Sequence, residues 1–135
     1  RLRMTLGKVK EKHWKELDVW VDHFKGKYQP LYGIGSGGNI NTIQKHFVKR
    51  KEQDVHFDDL SLTLKSLENL TIDERILKYG FRPDRADVIV PAAKIFMHIM
   101  ARLNIDTLFV PKVGLGDGMI HEMYDKMVKS KKLKK

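Results

Sequence analysis

The 135-residue sequence contains no cysteine, so disulfide bonds and thiolate metal sites are excluded. The absence of cysteine also favours a cytoplasmic location. The longest apolar run, 88–101, is interrupted by Pro91, Lys94 and His98 and is too short to span a bilayer. We therefore expect a folded, soluble chain that has no membrane partner.

Several catalytic signatures are missing as well. No glycine-rich loop is followed by Gly-Lys-Ser/Thr, so the sequence lacks the phosphate loop of P-loop proteins. No Gly-x-Ser-x-Gly elbow is present, so a hydrolase serine has no candidate. The six histidines include no His-x-x-x-His pair, which disfavours a metal site built from this chain alone. We assign neither catalytic residues nor metal ligands.

The composition is that of one folded domain with a basic end. Hydrophobic residues make up 41% of the chain and charged residues 32%, which suits a single core. The net charge is +9, and five lysines lie in the last seven residues. We divide the chain into a domain over 1–128 and a basic tail over 129–135, which is either a solvated end or an electrostatic arm for a polyanion. Because the chain begins at Arg1, we expect it to be part of a longer protein.

The most informative stretch, Gly-Ser-Gly-Gly-Asn, lies between Ile34 and Ile40. We predict a buried strand over 31–34, a glycine-rich turn, and a helix over 39–49 with Asn39 as its N-cap. The backbone N–H groups of the turn and the positive end of the helix dipole would then face one point, an arrangement that binds phosphate. The predicted phosphate-binding residues of this turn are Gly35, Ser36, Gly37, Gly38 and Asn39.

The same turn fits the dinucleotide-binding pattern Gly33-x-Gly35-x-x-Gly38. In that motif an acidic residue about 20 positions later ends a second buried strand. Here the acidic residue would be Glu52, which lies in a strongly charged stretch that we predict to face solvent. We therefore reject a nicotinamide-binding domain.

Apolar residues recur at helical spacing through most of the chain. They predict helices over 8–24, 58–70, 71–80, 83–103 and 118–128, and apolar runs predict strands over 1–6 and 107–110. A second glycine-rich turn, 111–118, follows the last of these strands. Strands separated by helices favour parallel pairing, which would bring both glycine-rich turns to the same edge of the sheet.

Single residues refine these elements. Thr71 and Glu74 have the spacing of a capping box, which marks the start of a helix. Trp14 and Trp20 lie on the apolar face of the first helix, so we place both in the core. Pro91 falls inside the longest predicted helix, and we expect it to kink that helix on its exposed stripe.

Two arginines, Arg82 and Arg85, flank Pro83 at the start of the longest predicted helix. One interpretation is surface charge or an ion pair with Asp84 or Asp87. The other is a phosphate clamp, since the guanidinium fork matches the geometry of phosphate oxygens.

Four blocks of sequence, in this order, resemble the second half of the exopolyphosphatase/guanosine pentaphosphate phosphatase family. They are Gly-Ile-Gly-Ser-Gly-Gly-Asn-Ile at 33–40, Leu-Thr-Ile-Asp-Glu-Arg at 70–75, Arg-Pro-Asp-Arg-Ala-Asp-Val-Ile at 82–89 and Gly-Leu-Gly-Asp-Gly-Met-Ile at 114–120. The resemblance covers 1–128. Two positions depart from the family pattern: Asn39 replaces a threonine, and Gly116 replaces an arginine.

The resemblance implies an α/β fold: a partial ribonuclease-H-like (actin-like ATPase) domain, helix-rich, with a small and mostly parallel sheet. It implies a phosphohydrolase that releases terminal phosphate from inorganic polyphosphate or guanosine pentaphosphate with Mg²⁺, whose ligands lie mostly outside this chain. The turn at 35–39 and Arg85 are carried over as phosphate contacts on one wall of an interdomain cleft. In the family, the general-base glutamate and a second phosphate loop precede this region. We therefore expect the chain to need an N-terminal half and to be inactive alone.

Two functions of other classes stay open. One is a non-catalytic domain that binds polyanions or nucleic acid through its lysine tail and basic helices. The other is the nucleotide-binding half of an actin-like kinase, related by fold but not by reaction. A homodimer is also open.

Overall fold

A computed structural model describes residues 10–28, 31–51, 54–111 and 113–132. In chain order the elements are α1 (Glu11–Asp22), β1 (Gly33–Ile34), α2 (Gly38–Phe47), β2 (Asp54–His56), α3 (Phe57–Leu67), α4 (Ile72–Tyr79), α5 (Pro83–Ala86), α6 (Ile89–Leu103), β3 (Thr107–Phe109) and α7 (Leu115–Lys132). The strand predicted over 1–6 lies outside the described residues. Within the ranges described, no helix combines the length and the apolar character that a bilayer-spanning segment requires.

The three strands form one mixed sheet in the order β1-β3-β2. The central strand β3 pairs in parallel with β1, where Ile34 lies opposite Phe109, and antiparallel with β2, where Val55 lies opposite Leu108. The predicted helix-rich α/β class is therefore confirmed, although only one of these two pairings is parallel. Strand β2 was not predicted, because it has three residues and Val55 alone is buried.

The core lies on one face of this sheet. Helices α2, α3 and α6 contact one another there, and Val55 and Leu108 point towards them from the sheet. The largest fully buried side chains in the helices are aliphatic or thioether groups: Ile40, Ile43, Leu60, Leu67, Ile89 and Met100. On the opposite face, Ile34 and Phe109 are 72% and 52% exposed. The described elements thus cover the sheet on one side only.

The long helix predicted over 83–103 is interrupted, and the predicted kink at Pro91 is wrong. Helix α5 ends at Ala86 and α6 begins at Ile89, which makes Pro91 the third residue of α6. The first N–H groups of a helix have no intrahelical acceptor, so a proline there removes no hydrogen bond. Pro91 is also fully buried rather than on an exposed stripe.

Helix α1 is joined to α6 mainly by polar contacts. Arg102 donates from Nε and Nη2 to the two carboxylate oxygens of Asp22 at 2.7 and 2.5 Å, and His98 pairs with Asp18. The hydrogen bond from Arg102 holds the pKa of Asp22 below its usual 3.8. Val21 is the one buried residue of the helix.

The core position predicted for Trp20 is wrong, since its side chain is 61% exposed and contacts Phe24 at a ring distance of 5.1 Å. Trp14 is partly exposed and packs on the ring of His98 at 4.9 Å. Among the described elements, α6 alone contacts α1 extensively, so one face of α1 packs against no other described element.

The capping box predicted for α4 is confirmed. The N–H of Glu74 donates to Thr71 Oγ1 at 3.2 Å, and the N–H of Thr71 donates to Glu74 Oε2 at 2.7 Å. Gly80 ends the helix in the left-handed conformation, with φ +66°. The bonds from Thr71, first from its backbone and then from its hydroxyl, lower the pKa of Glu74 below 4.5.

Glu74→Gln is expected to lower the midpoint of thermal unfolding at neutral pH, because the charged acceptor of two hydrogen bonds is lost. A carboxylate whose pKa is lowered by folding stabilises the protein above its unfolded pKa and ceases to do so as pH falls through its folded pKa. The difference between variant and parent should therefore shrink below about pH 4.5. The matched change Glu122→Gln, on exposed α7, should show neither effect, and equal behaviour of the two variants would contradict this account.

Candidate phosphate-binding site

The glycine-rich turn follows the carboxyl end of β1. The N–H of Gly35 donates to the carbonyl of Phe109 at 2.8 Å, which extends the pairing with β3 by one residue. Gly35 is consequently buried and its amide is used by the sheet, whereas Ser36, Gly37 and Gly38 are exposed. The exposed part of the turn is therefore the part that a ligand can reach.

Gly37 turns the chain into α2. Its φ of +103° and ψ of 171° belong to a region that is essentially restricted to glycine. The predicted N-cap at Asn39 is wrong: Gly37 is the N-cap, and Asn39 is the second helical residue. Within the described ranges the N–H groups of Gly38 and Asn39 find no acceptor, as is usual for the first turn of a helix.

Arg85 lies against this first turn, although 46 positions separate it from Asn39. Its Nη1 donates to Asn39 Oδ1 at 3.3 Å. A Cβ atom added to Gly38 would lie 2.6 Å from Arg85 Nη2, so a side chain at this position would displace the guanidinium. Two predicted groups, the turn and Arg85, are thus brought together by the fold. The Asp84 carboxylate is also near, 3.8 Å from Arg85 Nη2.

A surface groove of about 380 Å³ begins at this contact. Its lining comes from one face of α2 and from the segment between α4 and α5: Gly38, Asn41, Thr42, Lys45, His46, Gly80, Phe81, Arg82 and Arg85. The lining contains the cations Lys45, Arg82 and Arg85 and no acidic residue, although Arg82 Nε is 3.1 Å from Asp84 Oδ1 outside it. We call this feature the cationic groove.

Sequence reasoning missed the α2 side of the cationic groove. Lys45 and His46 begin a basic run, 45–51, that we interpret from the sequence as a solvated helix end. Together with Thr42 they follow Gly38 at spacings of four, seven and eight, which places them on the same helix face. Partial burial, and then the charge of Lys45, lower the pKa of His46 below 6.5. His46 is therefore neutral at pH 7 and adds no charge to the groove.

The second glycine-rich turn lies at the same edge of the sheet, because β1 and β3 are parallel neighbours. The N–H of Gly114 donates to Asp117 Oδ2 at 2.7 Å, and the N–H of Gly118 bonds to the Gly114 carbonyl. The carboxylate of Asp117 thus caps the start of α7. This helix begins at Leu115, earlier than predicted, and extends to Lys132. This turn presents a negative side chain, so it does not resemble a second phosphate contact.

The donor set of the site suits an anion rather than a metal ion held by protein. Ser36, the N–H groups of the turn and Arg85 are hydrogen-bond donors, and the carboxylate beside Arg85, that of Asp84, is paired with Arg82 and Arg85. Mg²⁺ prefers oxygen ligands, most often carboxylates. In the part of the chain that the structure describes, no cluster of three or more His, Asp or Glu side chains is placed to hold a metal.

The architecture is similar to that of two solved structures from Aquifex aeolicus. One is a member of the Ppx/GppA protein family, with a TM-score of 0.66 and 19% identity over 91% of this chain and 45% of that one. The other is the type II variant of a Ppx/GppA phosphatase, with a TM-score of 0.62 and 20% identity over 82% of this chain and 41% of that one. Neither a protein-family model nor a curated protein matches the sequence.

The chain has a Ppx/GppA-like fold. The resemblance predicted from the four sequence blocks is confirmed at the level of the fold, as a partial ribonuclease-H-like domain. At this identity the likeness concerns the fold and not the reaction. The chain spans less than half the length of either structure.

Gly37→Ala is expected to destabilise the fold by about 1–3 kcal/mol, because alanine is strained at the φ and ψ of this position. Chemical denaturation monitored by circular dichroism measures the effect. The matched control is Gly116→Ala, since a methyl group there meets open space within α7. It should be neutral or slightly stabilising, and a similar loss in both variants would show that the turn is not constrained.

Proposed function

We propose that this chain is the carboxyl-terminal half of a phosphohydrolase and that it supplies a phosphate-binding wall to an interdomain cleft. The observation that carries the proposal is the position of Arg85, whose guanidinium lies against Gly38. Beside it are the N–H groups of Gly38 and Asn39, for which the described part of the chain offers no acceptor. A cation and backbone donors that converge on an exposed turn are the groups that bind phosphate oxygens.

The chemical role of the wall is electrostatic. When water attacks a terminal phosphate, negative charge spreads over the oxygens of the transferred group, and fixed donors stabilise it. The Gly38 and Asn39 amides, the Ser36 hydroxyl and Arg85 would orient that group and share its charge. The general base is assigned to the N-terminal half, because the turn and the groove offer no free carboxylate to activate water.

The proposed substrate carries a terminal phosphoanhydride bond and is either inorganic polyphosphate or guanosine pentaphosphate. Beyond the turn, the cationic groove continues with Lys45 and Arg82, which would accept further phosphates of a chain. Phe81 is the one aromatic ring in its lining besides His46, and it is only 4% exposed. A stacked base would therefore find little surface here, which favours polyphosphate over the nucleotide.

Mg²⁺ belongs to this proposal only as an ion carried by the substrate and by residues of the N-terminal half. The described donors do not fit it, so no catalytic step is assigned to the ion in this chain.

A polyanion-binding domain without catalysis is the second candidate. It is favoured by the five lysines of the tail, which lie far along the sequence from the turn. The two candidates differ in which residues hold the anion, and binding measurements on the chain itself separate them. The nucleotide-binding half of a kinase is the third candidate, and it predicts stronger thermal protection by nucleotide than by polyphosphate.

Arg85→Ala is expected to weaken binding of medium-length polyphosphate by about 10- to 100-fold, because one charge-assisted contact is lost. Isothermal titration calorimetry at fixed ionic strength measures the affinity. Lys65→Ala, at an exposed position of α3 outside the groove, removes the same charge and serves as the control. If deletion of 129–135 abolishes binding while Arg85→Ala and Lys65→Ala have equal affinities for polyphosphate, the non-catalytic polyanion-binding domain replaces the proposal.

The isolated chain is expected to release no phosphate from polyphosphate, even with Mg²⁺, because the wall orients a substrate but does not activate water. Phosphate release by the pure protein is measured with a colorimetric assay, with heat-denatured protein as the blank. Sustained Mg²⁺-dependent release that Arg85→Ala lowers would show that a complete active site lies within this chain.

A further inference from the structure

The imidazole of His46 lies at the far end of the cationic groove. In α2 it follows Gly38 by eight positions, which corresponds to about 12 Å along the helix axis. His46 is exposed, and it lines the groove together with Lys45 from the same helix and Arg82 from the opposite side. The proposed function places a phosphate at the Gly38 end, so a ligand that also reaches His46 has to extend along the groove.

Aromatic packing holds the imidazole at this end. The rings of His46 and Phe81 lie 5.0 Å apart and meet edge to face at 87°. Phe81 in turn stacks on Tyr79 at 5.4 Å. Because Phe81 is 4% exposed and His46 is exposed, this packing positions the imidazole without removing it from solvent.

The charged groups that line the groove around His46 are cations. Lys45 precedes it on α2, and Arg82 and Arg85 come from the segment across the groove. Lys49 follows three positions later in the chain. The carboxylate of Asp84 is close to this segment, but it is paired with the two arginines.

His46 differs from other histidines of the chain in this respect. His13, His56 and His98 each pair with a carboxylate, whereas His46 has no acidic partner among the described residues. Partial burial, and then the charge of Lys45, lower its pKa below 6.5. An anion in the groove would reverse this influence, because a negative charge beside an imidazole favours the protonated ring.

We propose that His46 is a proton-dependent phosphate contact: it takes up a proton from solvent when a polyphosphate chain occupies the groove, so that binding strengthens as the pH falls. The inference rests on the proposed function, since it needs the same groove to hold the anion. Its addition is that the strength of binding responds to pH between neutrality and mild acidity. The protonated ring donates to a phosphate oxygen beyond the ones held at the turn.

The direction of the effect follows from linkage. A group whose pKa is higher in the complex than in the free protein strengthens binding as pH falls through the pKa of the complex. The gain is complete below the pKa of the free protein, which for His46 is under 6.5. Glutamine at position 46 stays neutral at every pH, so it removes the gain.

The test compares the affinity of the full chain for medium-length polyphosphate with that of His46→Gln, at fixed ionic strength, by isothermal titration calorimetry. The ratio of parent to variant affinity should rise about three- to tenfold between about pH 8 and about pH 5.5, since one charge-assisted contact is gained. Protonation of the ligand cancels in this ratio. The matched control is His121→Gln, at an exposed position of α7 outside the groove, for which the ratio should not change with pH.

A second variant separates charge from shape. His46→Lys carries a permanent charge, so its advantage over the parent should be largest near pH 8 and disappear near pH 5.5. Circular dichroism at each pH checks that every variant is folded. The ring signals of His46, identified in the ¹³C-labelled chain by their absence from His46→Gln, should titrate at higher pH when polyphosphate is saturating.

Two results would overturn the inference, and they are distinguishable. If Arg85→Ala weakens binding but the parent to His46→Gln ratio is the same at every pH, the groove binds phosphate without a contribution from the His46 proton. If neither Arg85→Ala nor His46→Gln changes the affinity at any pH, the groove does not hold the anion, and the proposed function fails together with this inference.

Discussion

The approach of Arg85 to Gly38 is the contact on which the candidate site depends. It places a guanidinium from the short helix α5 beside the first turn of α2, in the space that a side chain at position 38 would occupy. The turn at Gly37 then directs to the same region the N–H groups of Gly38 and Asn39, which have no acceptor among the described residues. Backbone donors are fixed by the fold and need no reorganisation when an anion arrives, which is why such turns bind phosphate without a specialised side chain.

The sheet explains why the turn is held in place. Parallel pairing of β1 with β3 continues through the Gly35 amide, so the turn begins from a position fixed by two strands. The helices α2, α3 and α6 bury one face of that sheet, and none of the elements that the structure describes covers the apolar side chains on the other face. A sheet covered on one side is typical of part of a larger domain. The resemblance in fold to less than half of each Ppx/GppA structure is consistent with that description.

The strong local signals of the sequence identified most elements and the turn. Glycine spacing, the Thr71–Glu74 capping box and apolar periodicity each depend on residues that are close in sequence. They can therefore be recognised without knowing the fold. Strand β2 and the burial of Pro91 depend on distant partners. Trp20 is exposed because none of the described elements covers that side of α1. In the site, the sequence identified the turn and Arg85 but not the groove residues Lys45 and His46. These two residues line a groove only because α2 packs beside residues 80–85.

The most direct test of the central claim is a titration of the ¹⁵N-labelled chain with tripolyphosphate, followed by backbone amide chemical shifts. The account predicts that the largest shifts occur at Gly37, Gly38 and Asn39, with the Arg85 side-chain resonance moving at the same ligand concentration. Shifts confined to 129–135, with the turn unchanged at saturation, would contradict it.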